Sequence, residues 1–280
     1  MRKYGCVSDC DDDRDKSWKA GSTPCRITRV HLPVDLRDPT APDMPLGVTQ
    51  PGRAPLRSWV PSVGCPPIRN QGGLSTCTAF SVTSLVQYVR KKQLLEDFVP
   101  SVLFTYCNAW QLETRRIGNL GTTIRNTIKA TIKYGIVREE EWPYDETKDL
   151  KLPPKELYDK AVKLEGLSYH RIASGVLYDM QQCLTEGYPF VFGLKLFHYS
   201  YENPQTKSTG IIPIPLPHEQ EIDNHCMMAV GWKFIQNKRY FIVQNSLGEA
   251  CGDKGFYYVP FDYLGNNHLA GDIWTMRPDK

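Results

Sequence analysis

Apolar residues recur every three or four positions in the first half of the chain and form short continuous runs in the second half. Val82, Val86 and Val89 predict a helix that begins at Cys77, with Ser75 or Thr76 able to cap its start. A glycine readily adopts the left-handed backbone conformation that ends a helix, so Gly135 and Gly187 are predicted to end two helices. Similar stripes predict three further helices over residues 101–113, 123–134 and 176–186.

The second half contains short apolar or alternating runs that are typical of strands. Helices therefore come first and strands later, without the alternation that a parallel sheet requires, which indicates an α+β protein. We expect a helical lobe over about 70–165, an antiparallel β lobe over about 166–280, and an active-site cleft between them. The predicted strands cover residues 190–197, 226–232, 239–244, 255–260 and 273–276.

Residues 1–60 differ from the main body over 61–280, because they contain many prolines and little apolar periodicity. This pattern predicts an extended segment that lies over the surface of the main body or is partly mobile. The whole chain has 280 residues, of which 41% are hydrophobic and 23% charged. That composition is globular, and no apolar run reaches the ~18 residues of a membrane span. The net charge of +3 does not argue for a polyanion, and we expect no nucleic-acid partner.

Nine cysteines are an odd number, and no secretory signal precedes them. We expect mostly reduced thiols in a cytoplasmic or otherwise intracellular protein, and export by an unlabelled route stays open. Cys6 and Cys10 could pair in an oxidising compartment, and the disulfide states of Cys25 and Cys65 are also open. The spacing of these cysteines is a weak metal signal, and we expect no metal or organic cofactor.

One cysteine stands where a strong helix begins. A thiol attacks a carbonyl as the thiolate, and a helix N-terminus stabilises that form, which singles out Cys77. His225 directly precedes the apolar run 226–232, and Asn245 ends the next predicted strand. A short antiparallel turn near Asn237 would bring His225 and Asn245 together, so that the amide could orient the imidazole.

Acyl transfer also needs hydrogen-bond donors for the developing oxyanion. Gln71 precedes Cys77 by six residues, across a loop that contains Gly72 and Gly73. If the glycines let the loop fold back, the Gln71 amide and the Cys77 backbone N–H could converge on one oxygen. Each residue alone has an ordinary structural explanation: a buried thiol, a strand-end histidine and a strand-end asparagine. Their ordered combination favours catalysis.

The sequence resembles the papain-like cysteine peptidases over about residues 66–276. Cys77 and His225 are 148 residues apart, close to the interval of ~130–150 residues in that family. The opening of the chain is similar to that of bacterial members without a signal peptide. The matching motifs are Asn70-Gln71-Gly72, Cys77 with Ala79-Phe80-Ser81, Asn224-His225, and Asn245-Ser246 with Gly248.

The resemblance implies a two-lobed papain-like fold and a peptide-bond hydrolase that needs no cofactor and acts on peptide or protein substrates. It implies that Cys77 is the nucleophile, His225 the general base and then acid, Asn245 the ring-orienting residue and Gln71 the oxyanion donor. It also implies substrate-binding roles for Gly118, Gly121 and Asn224. The paired histidines of carboxydipeptidase members are absent, which favours an endopeptidase.

Two departures from the family pattern keep alternatives open. Thr78 follows the nucleophile where the family has tryptophan, and Leu247 replaces the tryptophan that covers the Asn–His contact. Another aromatic could supply that cover. A papain-like binding module without proteolytic activity is therefore one alternative. An acyl-transfer or ubiquitin-like tag-removing enzyme with the same triad is another. We also expect residues 1–60 to be an intramolecular inhibitory segment that regulates access to the cleft.

Overall fold

The computed structural model describes residues 6–7, 17–18, 58–59, 64–113, 118–147 and 150–279. Most of the proline-rich segment, including Cys10 and Cys25, lies outside these ranges, so its predicted extended course stays a prediction. The described helices are α1 Cys77–Lys92, α2 Val102–Glu113, α3 Ile124–Tyr134, α4 Lys155–Lys160, α5 Leu177–Thr185, α6 His198–Glu202, α7 Pro204–Thr209 and α8 Phe261–Leu264.

The long helices follow the predicted apolar stripes. Val82, Val86 and Val89 of α1 are fully buried, and three basic residues occupy its last turn, where they complement the helix dipole. The expected capping hydrogen bond is absent at the start of α1. Thr76 is the N-cap residue, but its side chain accepts no hydrogen bond from the first turn of the helix. Its hydroxyl instead lies 2.9 Å from the hydroxyl of Tyr144.

Helix α3 has a capping residue at each end. The hydroxyl of Thr123 accepts a hydrogen bond from the Asn126 backbone N–H, and Gly135 ends the helix with φ +85°. A Cβ on Gly135 would lie 2.6 Å from the Val162 carbonyl oxygen, so glycine is required here for space as well as for backbone conformation.

Six antiparallel strands form the centre of the molecule in the order β5-β10-β6-β7-β8-β9. Strand β2 extends this sheet by parallel pairing with β5, and β3 pairs with β7. A separate parallel pair joins β1 to β4. The strands are β1 Cys6–Val7, β2 Ser17–Trp18, β3 Ser58–Trp59, β4 Thr122–Thr123, β5 Leu167–Ile172, β6 Phe190–Phe197, β7 Glu221–Ile235, β8 Lys238–Gln244, β9 Phe256–Pro260 and β10 Ala270–Pro278.

The two faces of this sheet are buried against different helices. Cys226, Met228 and Val230 of β7 pack with α1, whereas Met227 and Ala229 join a core that includes residues of α5, α6 and α8. Alternate residues of a strand point to opposite faces, so this one apolar run supplies both cores. Because both faces of the strand are buried, residues 226–230 are all apolar instead of alternating with polar residues.

The structure confirms the α+β architecture, with long helices first and an antiparallel sheet later in the chain. The five predicted strands are present, but β7 and β10 are longer than expected, and β5 was not predicted. The short helices α4, α6, α7 and α8 were also missed. The proposed lobe boundaries stay predictions. No helix in the described part of the chain is long and apolar enough to cross a membrane.

Candidate active site

Cys77 is the first residue of α1 and is fully buried. The N-terminus of a helix carries a partial positive charge, which favours the thiolate over the thiol. One turn later, the hydroxyl of Ser81 donates a hydrogen bond to the Cys226 carbonyl oxygen at 3.1 Å. This contact packs the first turn of α1 against β7 beside His225. The helix that begins with the candidate nucleophile therefore faces the strand that contains the candidate base.

His225 and Asn245 form the pair that the sequence predicted. The Nε2 atom of His225 lies 2.7 Å from Oδ1 of Asn245, and both side chains are buried. The connection is the predicted β7–β8 hairpin, which turns at Gln236 and Asn237, both with positive φ. One detail was wrong, because His225 lies inside β7 rather than directly before a strand. Polar residues at the start of β7 pair with β6, which lengthens the strand backwards to Glu221.

The hydrogen bonds around Asn245 determine the orientation of its amide and the tautomer of His225. Oδ1 accepts from the Ser246 backbone N–H at 2.8 Å, while Nδ2 donates to the hydroxyl of Tyr201 at 2.9 Å. The oxygen therefore faces His225, and Nε2 donates the proton of that contact. In the neutral imidazole this arrangement makes Nδ1 the basic nitrogen.

Burial controls the charge of His225. It lowers the pKa of the imidazole from its ordinary 6.5 to about 4, against the opposing effects of the Asn245 hydrogen bond and the nearby Asp223 carboxylate. In this closed arrangement the imidazole is neutral at neutral pH. An imidazolium that could stabilise a thiolate would be favoured once water reaches the site, because hydration removes the dominant cause of the lowered pKa.

Gln71 is tied to the Asn245 loop by both its backbone and its side chain. Its backbone N–H donates to the Ser246 carbonyl oxygen at 2.9 Å, and its Oε1 accepts from the Ser246 hydroxyl at 2.6 Å. Its Nε2 donates to the Leu74 carbonyl oxygen at 2.9 Å. The amide nitrogen carries a second N–H, so one group can hold the loop and also serve an oxyanion. Gly72, with φ +57°, allows the loop to fold back as predicted.

The loop before Cys77 is also tied to the candidate glycines. Asn119 accepts a hydrogen bond from the Ser75 backbone N–H through Oδ1 and lies between Gly118 and Gly121. The Gly118 carbonyl accepts from the hydroxyl of Tyr106 at 2.7 Å, and Gly121 has φ +81°. This segment therefore lies beside the loop that precedes Cys77. The substrate-binding roles of the two glycines stay predictions.

Asn224 pairs with Lys195 of β6, and its backbone N–H donates to the Asp223 carboxylate. Its predicted substrate role is likewise untested. Sequence reasoning missed Tyr144, whose hydroxyl donates to the Gln71 carbonyl at 2.7 Å, and Tyr201, which contacts Asn245. Both are far in the sequence from the residues they contact: Tyr144 lies in the segment between α3 and α4, and Tyr201 lies in α6. The only advance signal was the missing tryptophan at Leu247, which called for a replacement aromatic.

Other buried thiols differ from Cys77 in their surroundings. Cys107 and Cys183 are buried inside helices, and Cys226 is buried inside strand β7. Burial raises the pKa of Cys107 to about 12 and that of half-buried Cys65 to about 11, which keeps both protonated. The described residues contain no group of three or more His, Cys, Asp or Glu side chains able to hold a metal ion.

Comparison with known proteins gives one consistent result. The family model for papain family cysteine proteases matches residues 56–269. A peptidase C1-like protein of Acanthamoeba polyphaga mimivirus is 34% identical over 216 residues, which cover 74% of this chain and 68% of the relative. A cysteine protease of Blomia tropicalis is 24% identical, and the match covers 72% of this chain but only 59% of that protein.

Solved structures agree with this result. Xylellain, a cysteine protease from Xylella fastidiosa, superimposes with a TM-score of 0.79 at 27% identity, covering 100% of this chain and 98% of that one. Procathepsin L 3 of Tenebrio molitor shares the fold with a TM-score of 0.64 at 19% identity, covering 83% and 72% of the two chains. The match to the family model, the mimiviral relative and the shared fold confirm the resemblance read from the motifs: the chain belongs to the papain family of cysteine proteases.

Proposed function

We propose that this protein is a cysteine endopeptidase that cleaves peptide bonds through a thioester acyl-enzyme. The observation that supports it most directly is the 2.7 Å contact between Nε2 of His225 and Oδ1 of Asn245. This contact leaves Nδ1 as the basic nitrogen, on a strand that packs against the helix beginning at Cys77. His225 then has the tautomer and the supporting hydrogen bond that a general base requires.

In the proposed reaction, Nδ1 of His225 takes the proton of the Cys77 thiol, and the sulfur attacks the scissile carbonyl carbon. The oxyanion that forms accepts hydrogen bonds from the Cys77 backbone N–H and from Nε2 of Gln71. His225 then protonates the leaving amine as the C–N bond breaks. In the second half, His225 deprotonates a water molecule, which attacks the thioester and releases the carboxylic acid and the thiol.

The peptide substrate would lie between the segment that contains Gly118 and Gly121 and the start of β7 at Asn224. The hydrogen bonds of Asn119 to the loop before Cys77 support this placement, because they connect the segment directly to the nucleophile. The proposed chemistry uses side chains and backbone groups of this chain alone, without a cofactor.

We further propose that residues 1–60 restrict access to this site. Cys77, His225 and Gln71 are each fully buried, although a nucleophile must meet its substrate. Strand β1 pairs with β4 directly after Gly121 and also lies against β7. A backbone segment between these two elements would occupy the same place as a peptide substrate. Activation would then require that the segment be displaced or removed.

The test combines a covalent adduct with turnover. The full-length chain and a chain lacking residues 1–60 are treated under reducing conditions with an electrophilic epoxide, and intact mass reports the adduct. Hydrolysis of dipeptidyl fluorogenic amides is measured on the same samples. We expect a one-to-one adduct and turnover that both vanish in Cys77→Ala, and faster reaction after truncation. Cys251→Ala, which changes a partly buried thiol outside the site, is the matched control.

Each part of the proposal can fail separately. Turnover that persists in Cys77→Ala would refute the nucleophile assignment. A single adduct on Cys77 without hydrolysis of any peptide would favour the binding-module alternative. Unchanged turnover and affinity after truncation would refute the regulatory role of residues 1–60 and leave the catalytic assignment intact.

A further inference from the structure

One aromatic residue contacts both members of the His–Asn pair. Tyr201 lies in α6 and is 3% exposed. Its hydroxyl oxygen accepts a hydrogen bond from Nδ2 of Asn245 at 2.9 Å, and its ring centroid lies 6.5 Å from that of His225. Tyr201 also stacks on the ring of Tyr257, with ring centroids 5.9 Å apart and an interplanar angle of 22°.

The residue next to the Asn–His pair in the sequence cannot supply these contacts. Leu247 is buried, but its side chain has neither a ring nor a polar atom. The buried amide nitrogen of Asn245 nevertheless needs a hydrogen-bond acceptor, because an unpaired polar group in the interior is costly. The Tyr201 hydroxyl meets that need from a different element of the β lobe.

We propose that Tyr201 is a positioning residue of the peptidase: it orients the Asn245 amide and covers the His225 imidazole, the two tasks that Leu247 cannot perform. The inference rests on the proposed function, because it assigns a role in the same reaction.

The hydrogen-bond pattern explains how Tyr201 would act. The amide of Asn245 has one acceptor end, which faces His225, and one donor end, which faces Tyr201. Holding the donor end on the phenol oxygen keeps the acceptor end on Nε2–H of His225. The apolar ring also keeps water from this contact, and an electrostatic hydrogen bond is stronger where water is excluded. Both effects keep the Asn245 oxygen on Nε2–H, the hydrogen bond that raises the pKa of the imidazole against the effect of burial, and through that bond they favour the imidazolium that accompanies a Cys77 thiolate.

Helix α6 is short, but neighbouring hydrogen bonds hold it in place. The backbone N–H and the hydroxyl of Ser200 both donate to the Glu219 carboxylate, at 2.5 and 2.6 Å. At its other end, Asn203 caps α7 by accepting from the Thr206 backbone N–H at 2.8 Å. The backbone around Tyr201 is therefore held by hydrogen bonds that do not involve its side chain. A substitution of Tyr201 should change its side-chain contacts and leave the backbone conformation of α6 unchanged.

Two other groups act on His225 and must be kept constant in the test. The Asp223 carboxylate on the same strand raises the pKa of the imidazole, and Cys77 is the proposed partner from α1. Neither is altered by a substitution at Tyr201. The readout is therefore the pH dependence of Cys77 alkylation by iodoacetamide, a small neutral reagent, together with kcat and KM for a dipeptidyl amide.

The variants are Tyr201→Phe, which keeps the ring and removes the hydroxyl, and Tyr201→Leu, which removes both. The matched control is Tyr158→Phe, because the Tyr158 hydroxyl donates to Oδ1 of Asn108 at 2.8 Å, a similar Tyr–Asn contact away from the site. We expect Tyr201→Phe to lower kcat/KM about tenfold, mainly through kcat, as loss of one hydrogen bond would. The acid limb of alkylation should move about half a pH unit upward.

Tyr201→Leu should show a larger loss of kcat and a larger shift of the acid limb, and Tyr158→Phe should keep the wild-type profile. The inference is overturned if folded Tyr201→Phe retains kcat/KM within twofold with an unmoved acid limb, or if Tyr158→Phe shows the same changes. A wild-type chain that neither hydrolyses the amide nor reacts at Cys77 would instead refute the proposed function, and this inference with it.

Discussion

The hydroxyl of Ser246 links the candidate oxyanion donor to the loop that orients His225, and its removal is the sharpest test of the site. In Ser246→Ala the 2.6 Å hydrogen bond to Oε1 of Gln71 is lost. The backbone bond from the Gln71 N–H to the Ser246 carbonyl and the bond from Tyr144 to the Gln71 carbonyl both remain. The loop should therefore stay in place while the Gln71 side chain loses its fixed orientation.

The size of the effect follows from these contacts. One neutral hydrogen bond contributes about 1 kcal/mol, and loss of a whole oxyanion donor costs about 3 kcal/mol of transition-state stabilisation. Ser246→Ala should therefore lower kcat/KM roughly tenfold, whereas Gln71→Ala should lower it by about a hundredfold or more. Because the hydroxyl acts through Gln71, the double variant should be no worse than Gln71→Ala within about twofold.

The assay is kcat/KM for a dipeptidyl fluorogenic amide, with thermal unfolding measured in parallel to establish that each variant is folded. Ser168→Ala is the matched control, since the Ser168 hydroxyl contacts Nε2 of His170 at 2.9 Å on β5, outside the site. Additive losses in the double variant, or wild-type activity in folded Ser246→Ala, would show that Ser246 does not act through Gln71.

Three further predictions concern stability. Gly255→Ala should destabilise the fold by roughly 2 kcal/mol in urea unfolding, because φ is +87° and a Cβ would lie 2.4 Å from Cγ2 of Ile68; an unchanged midpoint would refute this. Arg277→Met should cost about 3 kcal/mol, since it leaves Glu186 without its 2.6 Å partner, and the peptidase rate at low temperature should persist. Burial lowers the pKa of His225 from its ordinary 6.5 to about 4, so the unfolded chain binds a proton at a higher pH than the folded chain does. The contribution of the neutral imidazole to the free energy of unfolding is therefore present above pH 6.5 and is lost progressively towards pH 4. We compare the chain with its His225→Gln variant, both with every cysteine replaced. The chain that keeps His225 should lose roughly 2 kcal/mol more unfolding free energy between pH 6.5 and 5, and the same pH dependence of unfolding free energy in both proteins would contradict this.

The parts of the structure that the sequence predicted well are those with local signals. The apolar stripe of α1 and the glycine after α3 follow from helix geometry alone, and the β7–β8 hairpin follows from two apolar runs with a short turn. Strand β5 was missed because half of its six residues, LSYHRI, are polar and do not alternate regularly with the apolar ones, so that only pairing with β10 and β2 makes them a strand. The short helices carry too few residues for a periodic signal.

The same distinction holds for the candidate site. His225 and Asn245 could be paired in advance, because one hairpin relates them. Tyr144 and Tyr201 could not, because each reaches the site from a part of the chain whose position depends on tertiary packing. Ser246 lies within the Asn245-Ser246 motif, but its hydrogen bond with Gln71 joins residues 175 positions apart and has no local sequence signal.

Backbone contacts also join the loops of the site, independently of the candidate catalytic side chains. Asn70 forms an isolated antiparallel bridge with Leu247, and the Gly248 N–H donates to the Arg69 carbonyl at 3.1 Å. These bonds join the nucleophile loop to the Asn245 loop without any catalytic side chain. Cys77 itself belongs to the buried core between α1 and the sheet, but Cys77→Ala removes only its sulfur atom and leaves the start of the helix unchanged. Cys77→Ala should therefore abolish turnover in a protein that still folds, and a thermal unfolding midpoint close to that of the parent would establish that the loss is chemical.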